Sequence, residues 1–340
     1  MNLTPSQIRS LPKIDLHRHL DCSLRWSTVV EVAQDLKMEL PQPPAKARSS
    51  FLITEPMANL EAVLNKFLNT QKVLASDEIL ERLAFEACED AFNDNVLLLE
   101  LRFAPTFILD GHPHLSPEKI ISAFRKGLNR AEKTYGLSAG LIGILQRIKP
   151  IEQSQTTMDF FCDMKSEFIG VDLADNEEGF DPAPFASLFQ KAKKSGLRVT
   201  IHSGEVPHPQ AGQWIMDSIN YLGAERIGHG VQAIHHPKVL EQIKKQNVTL
   251  EICPLSNYLT QAFPDPASHP LKKLMEAGVK VTLGSDDPGI FASQLTDDYL
   301  MAHQHQRLNL QDFKQLNQNA FESSFIDPLK KKKWETFFYE

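Results

Sequence analysis

The chain has 340 residues, of which 42% are hydrophobic and 23% charged, with a formal net charge of −7 and a pI near 6.0. This composition is typical of a globular protein with a large apolar core. The acidic balance argues against nucleic acid as a partner. No apolar run approaches the roughly 20 residues that span a bilayer, so we expect no membrane partner. The first twelve residues are polar and lack the apolar centre of a signal peptide.

The cysteines lie far apart in the sequence and form no CxxC pair. In a chain of this length, isolated cysteines indicate reduced thiols and therefore predict a cytoplasmic location. They are Cys22, Cys88, Cys162 and Cys253.

Eight short segments with strand character alternate with helical patterns. Several segments are continuously apolar, which indicates strands buried on both faces of a parallel sheet. The segments are residues 14–20, 96–103, 138–145, 168–173, 198–202, 226–228, 249–252 and 280–283. The intervening patterns repeat apolar residues with helical spacing and cover residues 77–94, 117–135, 184–195, 207–222, 236–246 and 270–278.

This alternation predicts an α/β fold, a (β/α)8 TIM-type barrel, formed by residues 1–340 as a single domain. The longest interval, residues 26–74, predicts an insertion between the first two strands, with a turn at residues 41–44 and a helix over residues 59–73. Residues 308–340 predict a helical C-terminal tail.

Four polar clusters follow strand segments one, five, six and eight. The C-terminal ends of barrel strands form one face, which carries the active site in this fold. We therefore expect the clusters to converge. They are His17-Arg18-His19, His202-Ser203-Gly204-Glu205, Gly228-His229-Gly230 and Ser285-Asp286-Asp287-Pro288.

The clusters contain the ligand types of a metal site. Residues two apart on a strand point the same way, so His17 and His19 can share one ion. Strands one and eight are neighbours in a closed barrel, which brings Asp286 to the same ion, and His202 adds a third imidazole. Three histidines and one aspartate suit zinc, with iron, cobalt or manganese as alternatives. Glu205 lies close enough in sequence to His202 to act as an acid–base group.

At these residues the chain resembles the adenosine deaminase family. Five motifs occur in the order found in that family and extend across nearly the whole chain. They are residues 12–21 (PKIDLHRHLD), 202–205 (HSGE), 226–230 (RIGHG), 253–257 (CPLSN) and 285–288 (SDDP).

The resemblance implies a zinc-dependent hydrolase that converts a 6-aminopurine into a 6-oxopurine and releases ammonia. One zinc ion per chain would make hydroxide available near neutral pH. The insertion before residue 74 would form a lid. The implied metal ligands are His17, His19, His202 and Asp286.

The resemblance also implies roles for the remaining polar residues. Glu205 would protonate purine N1, His229 would orient the water, and Asp287 would bond to the water and to purine N7. The residues expected to bind the small-molecule purine substrate are Asp21, His19, Asp175 and Asp287.

The substrate is less defined than the reaction. In adenosine-using members the position of Asp21 binds the 5′-hydroxyl, which favours adenosine or 2′-deoxyadenosine as substrate and inosine or 2′-deoxyinosine as product. Two residues depart from the family pattern, because Cys22 and Asp175 each stand where the family usually has glycine. These departures leave adenine, aminodeoxyfutalosine or a modified adenosine as alternative substrates.

Three other classes of protein fit less well. A cytidine-deaminase site requires a PCxxC segment, which this sequence lacks. A two-metal amidohydrolase usually has a bridging lysine on strand four, and residues 168–173 contain none. A catalytically silent barrel that binds a nucleoside or a partner protein would have no need of Glu205, His229 and Asp287.

Overall fold

A computed structural model describes residues 3–339, which form eight parallel strands, each paired with the next in sequence. The (β/α)8 barrel is therefore confirmed, while the predicted domain limits at residues 1 and 340 lie outside the described residues. The strands are β1 (Lys13–His19), β2 (Val96–Phe103), β3 (Ser138–Gln146), β4 (Gly170–Ala174), β5 (Arg198–Ser203), β6 (Arg226–His229), β7 (Thr249–Ile252) and β8 (Val281–Leu283).

Helices connect the strands and cover the outside of the barrel. They are α1 (Pro5–Ser10), α2 (Trp26–Asp35), α3 (Pro44–Phe51), α4 (Leu60–Gln71), α5 (Asp77–Asn93), α6 (Pro105–Gly111), α7 (Pro117–Tyr135), α8 (Ile151–Asp163), α9 (Ala186–Ser195), α10 (Ala211–Asn220), α11 (Pro237–Lys245), α12 (Pro254–Leu259), α13 (Leu271–Glu276), α14 (Pro288–Phe291), α15 (Leu295–Gln306), α16 (Leu310–Ser323), α17 (Pro328–Lys331) and α18 (Glu335–Tyr339). Within residues 3–339, no helix combines the length and the apolar composition needed to cross a bilayer.

All eight predicted strands are present, with shifted ends. Segments 96–103 and 249–252 match β2 and β7. Strand β4 begins at Gly170, two residues later than predicted, and is preceded by a short 3-10 turn at Lys165–Glu167. Among the helices, α7 matches its prediction. α10 starts at Ala211 rather than at residue 207, where two nearby prolines lack the N–H groups that a helix interior needs.

The insertion after β1 is confirmed as a separate helical layer. It contains α2, α3 and α4, and α4 matches the helix predicted at residues 59–73 to within two residues. The layer packs on the barrel mouth through an apolar cluster that includes Ile53 and Val63 of the insertion and Leu259 and Ile290 of the barrel loops. It therefore covers the end of the barrel at which the strands terminate.

The barrel closes between β1 and the segment that follows β8. The amide of His19 donates to the Asp286 carbonyl at 2.7 Å, and the amide of Asp286 donates to the His17 carbonyl at 2.8 Å. The hydrogen bonds that close the barrel therefore also hold three of the predicted metal ligands together.

Charged side chains fill the barrel interior below the C-terminal strand ends. The Arg102 guanidinium donates to Asp172 at 2.8 Å and to Glu251 at 2.7 Å. Arg226 donates to Glu251 at 2.6 Å and to Glu100 at 2.7 Å. All five side chains are buried, and buried charges of this kind require such pairing. We call these five residues the buried ion-pair network.

Candidate active site

The predicted metal ligands converge at the C-terminal end of the barrel. Asp286 Oδ1 lies 3.4 Å from His17 Nε2 and 3.3 Å from His19 Nε2. The Nε2 atoms of His19 and His202 are 3.2 Å apart. Three segments that are far apart in sequence thus direct these four side chains to one point.

The chemistry of these side chains fits a metal ion. His17 Nε2 is buried and has no hydrogen-bond partner among the residues that the structure describes, so its lone pair is available. Potential ligand atoms within 4.8 Å of one another form two overlapping groups, one of His17, His202, His229 and Asp286 and one of His19, Asp286 and Asp287. An ion at this point would have access to imidazole and carboxylate ligands, the mixed set that zinc accepts.

Two carboxylates lie behind the histidines. Glu251 Oε2 is hydrogen-bonded to His17 Nδ1 at 2.7 Å. Asp172 Oδ2 lies 2.9 Å from His202 Nδ1, a close contact that lacks hydrogen-bond alignment. A histidine whose Nδ1–H faces a carboxylate presents the Nε2 lone pair, which is the usual outer arrangement of a metal-binding histidine. Both carboxylates belong to the buried ion-pair network, so the network supports the candidate metal site directly.

A chain of hydrogen bonds fixes the ring of His229. The Leu271 amide donates to His269 Nδ1 at 3.2 Å, which leaves the proton of His269 on Nε2. That nitrogen lies 3.1 Å from Asn257 Oδ1, and Asn257 Nδ2 lies 3.1 Å from His229 Nδ1. This polarity makes His229 Nδ1 an acceptor and places the proton on Nε2. His229 Nε2 faces the site, 3.6 Å from Glu205 Oε2.

Strained backbone and close contacts occur at the same strand ends. Asp175, His229 and Asp286 adopt left-handed φ angles of 87°, 58° and 60°, a conformation that is costly for residues other than glycine and is concentrated at functional sites. A Cβ on Gly228 would lie 2.9 Å from His17 Cε1 and 3.2 Å from His202 Cα. Only glycine therefore allows β6 to approach both histidines this closely.

Glu205 is a buried acid in an anionic environment. Burial, together with the charges of Asp286 and Glu177, raises the pKa of Glu205 to about 8. Its side chain accepts a hydrogen bond from Thr260 Oγ1 at 3.1 Å, and its backbone amide donates to the Glu177 carboxylate at 2.8 Å. A fixed carboxylic acid that keeps its proton near neutral pH is suited to protonating a bound base.

The adjacent carboxylates Asp286 and Asp287 have opposite electrostatic behaviour. Burial and the charge of Asp286 raise the pKa of Asp287, whereas contacts with His17 and His19 overcome burial and lower the pKa of Asp286. Burial opposes a charge on His19, but Asp287, Asp286 and Asp21 outweigh it and raise the pKa of His19 to about 9. The site therefore attracts positive charge, as a cation site should.

Two adjacent cavities with shared lining residues lie at this end of the barrel. The deep cavity, of about 50 Å³, is lined by site residues from four loops, namely His19, His202, Glu205, His229, Asp286 and Asp287. The outer cavity, of about 330 Å³, lies towards the ends of β1, β2 and β3. Leu64 and Phe67 of α4 line both cavities. The insertion thus stands over the site, as expected of a lid.

The remaining predicted substrate residues lie along these cavities. Asp21 is buried at the wall of the outer cavity, where Oδ2 accepts from the Ala104 amide at 3.0 Å. Asp21 Oδ1 has no hydrogen-bond partner within residues 3–339. Asp175 lines both cavities, and its Oδ2 accepts from Gln146 Nε2 at 2.9 Å. Cys22 is buried beside Asp21 at the same wall.

Several residues that support the site did not emerge from the sequence analysis. Asp172 and Glu251 carried a detectable signal, because each is a charged residue inside an otherwise apolar buried strand. Asn257 lay within a recognised motif without an assigned role, and His269 carried no local signal. Glu177, which accepts from the amide of Glu205, has no role in the sequence-based prediction.

The fold and the site define a hydrolase-type (β/α)8 barrel with a candidate His/Asp metal site at the C-terminal ends of its strands. Residues 12–336 match the family model described as adenosine deaminase. The chain belongs to the adenosine deaminase family, whose members are hydrolytic purine deaminases.

Individual relatives support this placement. An adenosine deaminase from Clostridium botulinum is 35% identical over 326 residues, which cover 94% of this chain and 95% of that protein. The structure of the Arabidopsis N6-mAMP deaminase has a TM-score of 0.84 at 26% identity and covers 98% of this chain and 99% of its own. The structure of adenine deaminase from Arthrobacter aurescens shares the fold, with a TM-score of 0.89 at 24% identity, covering 97% and 98% of the two chains.

Proposed function

We propose that this protein is a zinc-dependent deaminase of adenosine and 2′-deoxyadenosine, which forms inosine or 2′-deoxyinosine and ammonia. One observation carries the proposal: Glu205, His229 and Asp287 line the same small cavity as three of the candidate metal ligands, His19, His202 and Asp286. A protein that only bound a nucleoside would have no use for a buried acid beside a cation site. The four free thiols support a cytoplasmic location.

We assign the metal to His17, His19, His202 and Asp286. His229 also lies near this point, but its ring proton faces the site, so we assign it to the substrate and the water instead. When bound, the zinc ion would supply Lewis-acid activation of the attacking water. The family membership and the buried lone pair of His17 support this assignment.

The chain's own residues would handle the protons. Glu205 would donate its proton to purine N1, which withdraws electrons from C6 and opens that carbon to attack. The Nε2–H group of His229 would orient the attacking water and stabilise developing negative charge. Asp287 would accept a hydrogen bond from the water and, in its protonated form, donate to purine N7. Addition at C6 and loss of ammonia then give the 6-oxopurine.

The outer cavity favours a nucleoside over a free base and over a nucleotide. Its volume of about 330 Å³ offers room for a sugar, and the unpartnered Oδ1 of Asp21 is suited to a sugar hydroxyl. A 5′-phosphate would meet the Asp21 carboxylate instead. Among the described residues, Lys149 is the one lysine or arginine that lines this cavity, and it is paired with Asp110. The N6-mAMP deaminase relative acts on a nucleotide, so this distinction needs a direct test.

Ammonia release from a panel of substrates tests the proposal. Zinc-loaded protein is assayed with adenosine, 2′-deoxyadenosine, adenine, AMP, N6-methyladenosine and aminodeoxyfutalosine. We expect the two nucleosides first named to have the highest kcat/KM, and Glu205→Gln to lower kcat by about 10²- to 10⁴-fold. Preferential turnover of adenine or AMP would reassign the substrate. Retained zinc without ammonia from any compound would indicate the catalytically silent barrel.

A further inference from the structure

Asp175 places a fixed carboxylate at the edge of the candidate substrate site. It follows β4 directly and adopts a left-handed φ of 87°. One oxygen accepts from the Asn176 amide at 2.7 Å and the other accepts from Gln146 Nε2 at 2.9 Å. Gln146 Oε1 in turn accepts from Thr106 Oγ1 at 2.7 Å. These bonds determine the direction of the carboxylate, although they leave it free lone pairs, because a carboxylate accepts up to about four hydrogen bonds.

The position of Asp175 in the cavities limits which part of a ligand it can contact. It lines the deep cavity together with Glu205 and also lines the outer cavity together with Asp21. Consider a ligand with its base in the deep cavity and its sugar in the outer cavity. The junction between base and sugar of such a ligand lies next to Asp175. The carboxylate therefore faces the portion of the base nearest to the sugar.

The order of the strands around the barrel identifies the edge of the purine. In the proposed function, Glu205 after β5 meets N1, Asp287 after β8 meets N7, and Asp21 after β1 meets the sugar. Strand β4 lies next to β5, on the side away from β6. Along the purine perimeter, C2 and N3 follow N1 before N9 and the sugar are reached. Asp175, at the end of β4, therefore faces the C2–N3 edge.

The chemistry of that edge differs between purines. Adenosine presents a C–H group at C2 and a lone pair at N3, so it offers no N–H or O–H donor to a carboxylate and places a lone pair opposite it. A 2-amino group presents N–H donors at this point. A hydrogen bond to an ionised acceptor is among the stronger ones in proteins, so the carboxylate discriminates between the two bases.

We propose that Asp175 is a specificity-determining residue that selects purine nucleosides with an amino group at C2, so that 2,6-diaminopurine nucleosides are better substrates than adenosine. This inference rests on the proposed function and names its substrate class more closely. Water adds to C6, the C6–N bond breaks and ammonia leaves, while the 2-amino group is retained. The product from 2,6-diaminopurine riboside is guanosine.

Kinetics of the wild type and of Asp175→Gly test the proposal. Glycine readily adopts the left-handed φ at this position, so the variant loses the carboxylate without backbone strain. We expect the wild type to favour 2,6-diaminopurine riboside over adenosine in kcat/KM by about 10- to 100-fold, the range of one charge-assisted hydrogen bond. Asp175→Gly should abolish this preference, and Asp175→Asn, which keeps an acceptor but loses the charge, should fall between them.

Product binding tests the same contact without catalysis. Calorimetric titration should give a lower Kd for guanosine than for inosine with the wild type. In Asp175→Gly the two Kd values should be equal. Equal binding of the two products by the wild type would overturn the inference. A preference for ribose over 2′-deoxyribose that disappears in Asp175→Gly would also overturn it, because the carboxylate would then contact the sugar. If no nucleoside releases ammonia while guanosine still binds more tightly, the proposed reaction fails and the C2 contact stands.

Discussion

Replacing Glu205 with glutamine should stabilise the metal-free protein, although the same change should strongly lower kcat. The folded protein keeps the Glu205 proton up to a pH of about 8, whereas the ordinary carboxyl value is 4.5. Between these values the unfolded chain binds fewer protons than the folded protein, so this group lowers the free energy of unfolding as the pH rises. Because glutamine does not titrate, the free energy of unfolding of the variant does not include this pH-dependent decrease.

The structure sets the size of the effect. The slope is about 1.4 kcal/mol per pH unit, so over a window of about 3.5 pH units the wild type loses up to about 5 kcal/mol relative to Glu205→Gln. The loss should begin above pH 4.5 and level off above pH 8. In wild-type protein, added zinc should reduce it, because a cation favours the charged form of the carboxyl.

Urea unfolding measures this difference directly. The free energy of unfolding of wild type and Glu205→Gln is determined in the presence of a chelator at several values between pH 5 and pH 8.5. Thr260→Val serves as the control, because it removes a hydrogen bond to Glu205 but retains the titrating carboxyl and hence the pH-dependent loss. A stability difference between Glu205→Gln and wild type that is the same at pH 5 and pH 8 would refute the reasoning.

Two further substitutions separate the support of His229 from the support of the metal. Asn257→Leu removes the donor to His229 Nδ1, so kcat should fall by about 10- to 100-fold. The zinc content, measured by atomic absorption, should stay at one ion per chain. Loss of zinc from this variant would contradict the tautomer assigned to His229. Gly228→Ala would place a Cβ 2.9 Å from His17, so a competing chelator should remove zinc from this variant at lower concentration than from wild type. Unchanged zinc affinity would mean that β6 moves freely away from the histidines.

The barrel could be predicted from the sequence because each buried parallel strand appears as a short, almost continuously apolar run. The ends of the runs were less certain, since an apolar side chain can precede a strand as well as belong to it. Phe168 illustrates this, because it is buried against Phe161 and Phe103 although β4 begins only at Gly170. Its hydrophobicity reports burial and not backbone conformation.

The convergence of the polar clusters followed from the fold, because strand ends in a barrel share one face. The roles of the supporting residues did not follow, since they depend on contacts between distant segments. His269 is an example, because its hydrogen bond reaches His229 through Asn257 of α12. Similarly, the direction of the Asp175 carboxylate depends on Gln146 from the neighbouring strand. Such contacts depend on side-chain rotamers in the assembled molecule, which a single sequence does not contain.

The closure of the barrel through His17 and Asp286 has a consequence for protein synthesis. One residue belongs to the first strand and the other follows the eighth, and their backbones are hydrogen-bonded to each other. A nascent chain emerging from the ribosome therefore cannot assemble the four proposed metal ligands until the segment that follows β8 has been translated. Fragments that end before β8, such as products of premature termination, would retain three histidines without the aspartate. The complete binding site thus forms only in a molecule in which β1 and the segment after β8 are both present and paired.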